Sequence, residues 1–267
     1  QIDAANAWQV LFFRSLGFIA TLSLFLIFKY KSEAVSLHRK IDLWGFGTAI
    51  FIGLSFGMNI YALTIVSVAQ AYFILSTLPL MTALLSWIFL NEKVDRTTWV
   101  TIVIVFVGVA IMIADDFGSL NNIFGLFIAL LSPTFFAIAL VLIRARKQID
   151  TIPATWLAGF VSLVLAASLM GSLDQIIIED ALWGGMMGVT LGVGVACYVI
   201  GAKYISATHV AVLMLLETAL APIWAWLGVG EKPTTMILLG GLIMFAAVAV
   251  RAGLEFLSER GKYRPTV

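Results

Sequence analysis

Charge is scarce in this chain. Only 12% of its 267 residues are Asp, Glu, Lys or Arg, against about 25% in soluble domains. Hydrophobic residues make up 61%, and the mean hydropathy is +1.04. A soluble fold of this size would lack the polar side chains to cover so much apolar surface, which excludes that class. Cysteine is nearly absent as well. Cys197 stands alone, which excludes an internal disulfide and argues against a cysteine-based metal site. The two histidines, His38 and His209, are too few and too far apart for a metal site. HExxH, GxSxG and phosphate-binding glycine motifs are missing, so no cofactor, metal or enzymatic nucleophile is expected.

Long apolar runs fill the space these absences leave. Nine segments have the roughly 20 apolar residues a spanning helix needs: 8–28, 42–64, 68–90, 98–116, 122–143, 153–173, 181–201, 206–228 and 235–255. Backbone groups in lipid must bond internally, so these read as helices and the fold class as all-α, a polytopic membrane protein. Fourteen of the 16 Lys and Arg residues fall on alternate connections: 29–40, 91–97, 144–150, 202–205 and the C-terminal end. By the positive-inside rule that side is cytoplasmic, which predicts a cytoplasmic C-terminus in the cell's inner or plasma membrane.

An offset of 139 positions organises the chain. Leu43-Trp44-Gly45 matches Leu182-Trp183-Gly184, Gly53 matches Gly192, Trp87 matches Trp226, and Glu92-Lys93 matches Glu231-Lys232. Apolar composition alone does not align tryptophans, glycines and a Glu-Lys pair in one frame. The chain reads as a duplicated unit, with a first repeat over 1–116, a second over 122–256 and a tail over 257–267. Helix 42–64 starts on the cytoplasmic side and its partner 181–201 on the other, so the halves are expected to be inverted. The partner of helix 122–143 would end near residue 4. Nine helices are therefore expected here and ten, as two inverted five-helix repeats, in the complete fold.

Two stretches carry a family likeness. Ala62–Glu92 (ALTIVSVAQAYFILSTLPLMTALLSWIFLNE) and Ser206–Glu231 (SATHVAVLMLLETALAPIWAWLGVGE) resemble the fourth- and ninth-helix signatures of EamA-type members of the drug/metabolite transporter superfamily. Arg14 in FFRSLGF matches an arginine often seen in the second helix of such proteins. The resemblance implies ten helices in two inverted repeats and export or exchange of amino acids and other small metabolites. Thr218 stands where those proteins often carry proline, with Pro222 four residues later.

Candidate substrate-binding residues follow from the cost of polarity in lipid. A charge at membrane depth costs roughly 2.5–3.5 kcal/mol on insertion scales, so it usually faces a cavity or a partner. Glu217 could bind a substrate amine or a proton, and Arg14 a carboxylate. Alternatively the two pair and hold helices in register. Asn59, Tyr61, Gln70, Tyr72, Ser76, Tyr198 and His209 could line a substrate path or merely bond between helices. Gln70 and His209 are repeat-equivalent, a placement suited to two symmetric gates. Gly53 with Gly57, and Gly184, Gly188 and Gly192, are spaced for close helix crossings. Pro79, Pro133 and Pro222 are expected to kink their helices, and Pro153 to open one.

The leading expectation is a carrier of small polar metabolites working by alternating access. Its chamber would be lined by 42–64, 68–90, 181–201 and 206–228. An intramembrane enzyme fits poorly, because Glu217 and His209 lie about 12 Å apart along a helix. A channel or structural subunit is the remaining alternative. The expected partners are a small-molecule metabolite and membrane lipid, not nucleic acid, with the chain a monomer or homodimer.

Overall fold

The computed structural model describes residues 6–30, 42–91, 96–113, 120–145, 151–171, 178–201, 220, 223–228, 230 and 232–262. Among them no strand occurs. The helices are α1 (Ala7–Tyr30), α2 (Leu43–Ala62), α3 (Val68–Leu75), α4 (Leu78–Leu90), α5 (Arg96–Ile113), α6 (Leu120–Ala145), α7 (Thr151–Leu169), α8 (Ile178–Gly201) and α9 (Thr235–Lys262). Seven spans among the described residues are long and apolar enough to cross a membrane, α3 and α4 together counting as one, and α5 adds a shorter apolar helix. Most of the eighth expected span, 206–228, lies outside the described residues.

Caps set several helix starts. Asn6 Oδ1 accepts from the backbone N–H groups of Trp8 and Gln9 at 3.0 and 2.9 Å, while Gln9 Oε1 accepts from Asn6 N–H at 2.8 Å. Ser67 and Gln70 repeat that reciprocal box at α3, and the Asp42 carboxylate accepts from Gly45 N–H at 2.8 Å at α2. Each arrangement satisfies donors that a helix start leaves open.

The single helix expected over 68–90 is broken. Ser76 and Thr77 form a turn between α3 and α4, and Pro79 sits in the first turn of α4. Proline has no N–H for the Leu75 carbonyl, and its ring would collide with that carbonyl in a continuous helix. The turn avoids the collision. Thr77 N–H bonds to the Ile74 carbonyl at 3.0 Å, and the Ser76 and Thr77 hydroxyls donate to the Phe73 and Ile74 carbonyls at 2.6 and 2.7 Å. Pro133, in contrast, lies inside a continuous α6.

The chain forms two compact units, one from residues 1–64 and 134–201, the other from 65–133 and 202–267. In the first, glycines bring backbones together. A Cβ on Gly188 would collide with the Arg14 carbonyl, and one on Gly17 with the Gly185 carbonyl. A Cβ on Gly184 would lie 3.0 Å from Phe13, and one on Gly192 2.7 Å from Thr21. Residue numbers rise together along both helices, so α1 and α8 are parallel. Gly53 and Gly57 of α2 meet Ala158, Val161 and Leu165 of α7 in the same sense, with Ser162 Oγ donating to the Gly53 carbonyl at 3.2 Å. Against α7, α1 runs the other way. Asn6 Nδ2 donates to the Met170 carbonyl at 3.1 Å, and Trp156 Nε1 to Ser23 Oγ at 2.8 Å. Trp8 stacks on Tyr61, and Phe18 meets Phe56 edge-on, so α1 and α2 are antiparallel too. The offset-related pairs, α1 with α7 and α2 with α8, thus run in opposite directions. The α1–α8 and α7–α2 crossings exchange with one another under the 139-residue offset.

The second unit centres on Ala69, Phe73, Leu80, Val105, Val109, Ile237, Met244 and Val248. Gly108 admits the Gly240 carbonyl and Met244, and Gly241 lies against the Phe73 ring, which seats α5 and α3 on α9. Lipid is as apolar as these side chains, so close packing of this kind, not burial from water, holds the helices together.

Candidate functional site

Arg14 is the feature around which the first unit's site is built. It sits about two turns into α1, half-buried, and its backbone is pinned where its carbonyl abuts Gly188. The side chain reaches α2, where the guanidinium carbon lies 5.3 Å from the centre of the Phe56 ring. Phe56 is fixed in turn by Phe18, 5.5 Å away and nearly perpendicular. A cation over an aromatic face gains about 0.5–2 kcal/mol, less than the roughly 2.5–3.5 kcal/mol that a charge costs at membrane depth. The planar guanidinium suits a carboxylate, which it can hold through two parallel hydrogen bonds.

Asn59 and Tyr61 lie on α2 in the same unit, both half-buried. Tyr61 is stacked on Trp8, with ring centres 5.2 Å apart and planes 19° from parallel. Gln70, Tyr72 and Ser76 belong to the α3 region of the second unit. There the Gln70 carboxamide oxygen closes the α3 cap, and the Ser76 hydroxyl donates to its own helix. Tyr198 lies on α8 with its side chain outside the described residues. Glu217 and His209 also fall outside them. The structure therefore places Arg14 with Asn59 and Tyr61 on α1 and α2 of one unit, and Gln70, Tyr72 and Ser76 along α3 in the other, with only Ser76 at the helix break.

Two neighbours escaped the sequence reading. Trp8 and Phe56 look like any other apolar residues until the antiparallel pairing of α1 and α2 is known. In the second unit, Thr77, Leu80, Met81 and Leu84 face Ile102, Val105 and Val109 across a shallow apolar pocket. The Thr77 hydroxyl is already bonded to Ile74, which leaves the lining of that pocket apolar. Among the described residues no cluster of His, Cys, Asp or Glu could hold a metal ion.

Spanning helices joined by tight glycine crossings define the class: a multi-pass membrane protein. The EamA-like transporter family matches residues 2–114 and again 123–252, and the chain belongs to that family. It is similar to the pseudopaline exporter CntI of Pseudomonas aeruginosa (strain UCBPP-PA14), 29% identical over 91% of this chain and 86% of the relative. It is also similar to the uncharacterized transporter YdfC of Bacillus subtilis (strain 168), 24% identical over 74% of this chain and 67% of that one. A crystal structure sharing 16% identity superposes with a TM-score of 0.62, covering 91% of this chain and 87% of the other, a likeness of fold.

Proposed function

We propose that this transporter exports or exchanges small polar metabolites that carry a carboxylate, with amino acids and related amines favoured, by alternating access. The observation that carries the reading is Arg14, a cation pinned at membrane depth over Phe56. Antiparallel, offset-related helices support alternating access, because inverted repeats are how many carriers build two opposed openings. The similarity to an exporter supports the direction. The distribution of Lys and Arg supports a cytoplasmic C-terminus. Glu217 supplies the proton coupling in this proposal.

Counterflow of labelled amino acids in proteoliposomes tests it. Wild-type flux saturates. Arg14→Lys and Arg14→Gln each raise KM roughly tenfold to a hundredfold, the equivalent of about 1.5–3 kcal/mol for a lost charge-assisted hydrogen bond. Glu217→Gln flattens the pH dependence of flux. Unsaturable flux, or Arg14 variants that transport normally, overturns the proposal.

A further inference from the structure

One helix face in the second unit is more polar than its surroundings require. Thr82 and Ser86 of α4 are four residues apart, so they lie one above the other on the same side of the helix. Both are buried, at 5% and 1% exposure. Thr77, Leu80, Met81 and Leu84 face α5, and helical periodicity puts Thr82 and Ser86 on the opposite side. Thr82 behaves as hydroxyls in spanning helices usually do, donating to the Leu78 carbonyl at 2.8 Å. Ser86 does not. Its Oγ is buried and has no hydrogen-bond partner among the described residues. Its backbone carbonyl is satisfied, because Asn91 closes the helix in a left-handed conformation (φ 52°) and donates its N–H there. The hydroxyl is thus a buried polar group without a bond among the described residues, although the usual bond back to the Thr82 carbonyl lies within its reach.

We propose that the Thr82–Ser86 face of α4 is a ligand contact that holds the N–H- or O–H-bearing end of the transported metabolite, an amine above all. This rests on the transporter reading and adds to it a subsite distinct from Arg14. The chemistry follows from position. The face has no charged side chain, and it lies next to the C-terminal end of α4, where the helix dipole is negative. A carboxylate is disfavoured there and a hydrogen-bond donor is favoured. Ser86 Oγ accepts from that donor, and Thr82 Oγ1, whose proton is already committed to Leu78, has lone pairs left to accept a second.

Thiol labelling of Ser86→Cys in a Cys197→Ser background tests this without measuring transport. Two water-soluble, membrane-impermeant methanethiosulfonates serve as probes, one bearing trimethylammonium and the other sulfonate. Val103→Cys, on the exposed apolar side of α5, is the lipid-facing control. With each rate taken relative to that reagent's rate with a free small thiol, the ammonium reagent modifies the Ser86 variant roughly tenfold faster than the sulfonate does, and neither modifies the control. No labelling at position 86, or equal or faster labelling by the sulfonate, overturns the proposal while leaving the Arg14 flux experiment standing. Ser86→Ala decides the matter if the cysteine variant does not accumulate. Removing an unpaired buried hydroxyl leaves the melting temperature of the ligand-free protein unchanged or higher. A melting temperature several degrees lower shows that the hydroxyl is bonded within the protein, and also overturns the proposal.

Discussion

A methyl group added at Gly188 tests the packing described here most sharply. The new Cβ would fall on the Arg14 carbonyl oxygen and close to the Phe18 backbone nitrogen. Neither is the end of a flexible side chain, so α1 and α8 must part. Overpacking of this kind costs about 1–3 kcal/mol, against a gain of up to about 1 kcal/mol from replacing a helical glycine. The net loss lies within about 0–3 kcal/mol and is centred on about 1–2 kcal/mol. In a chain of this size that lowers Tm by roughly 2–8 °C. Gly185→Ala is the control, because a Cβ there has nothing within 4 Å. It sits three residues away on the same helix and leaves Tm level or slightly higher. Thermal unfolding of the purified protein in detergent or nanodiscs reads both variants. If Gly188→Ala melts with or above Gly185→Ala, the backbone contact between α1 and α8 is wrong. The placement of Arg14 built on it then falls as well.

Two further changes probe local structure. Ser67→Ala removes half of the α3 capping box and lowers stability by about 0.5–2 kcal/mol, visible as a lower Tm; no change would mean that the box contributes nothing. Trp156→Phe keeps the ring contact with Phe160 but loses the 2.8 Å bond to Ser23. The expected loss is about 0.5–1.5 kcal/mol, and a double-mutant cycle with Ser23→Ala would show the coupling; additive effects would refute it.

The spans were legible because hydropathy over 20 residues is a coarse, additive signal. The break at Ser76 and Thr77 was not, because apolar residues continue on both sides and hide it. Pro79 was recognised as a disturbance, but a kink and a two-residue turn differ only in where neighbouring hydroxyls find acceptors. The glycine spacings announced close crossings without naming the partners. Nothing in Gly188 itself points to Arg14. The environment of Arg14 was unreadable for the same reason: Phe56 is 42 positions away, and only the antiparallel pairing of α1 and α2 brings it close. Ser86 went unnoticed because an unmet hydroxyl is defined by its surroundings, not by its identity.

The α1–α8 and α7–α2 crossings are related by the 139-residue offset and run head to tail. Were the copies identical, nothing in them could tell one face of the membrane from the other. They are not identical. The position 139 residues after Arg14 holds Pro153, and the one after Gly17 holds Trp156. Handedness with respect to the two leaflets must therefore be written in such mismatches, and of these two the guanidinium is the charged one.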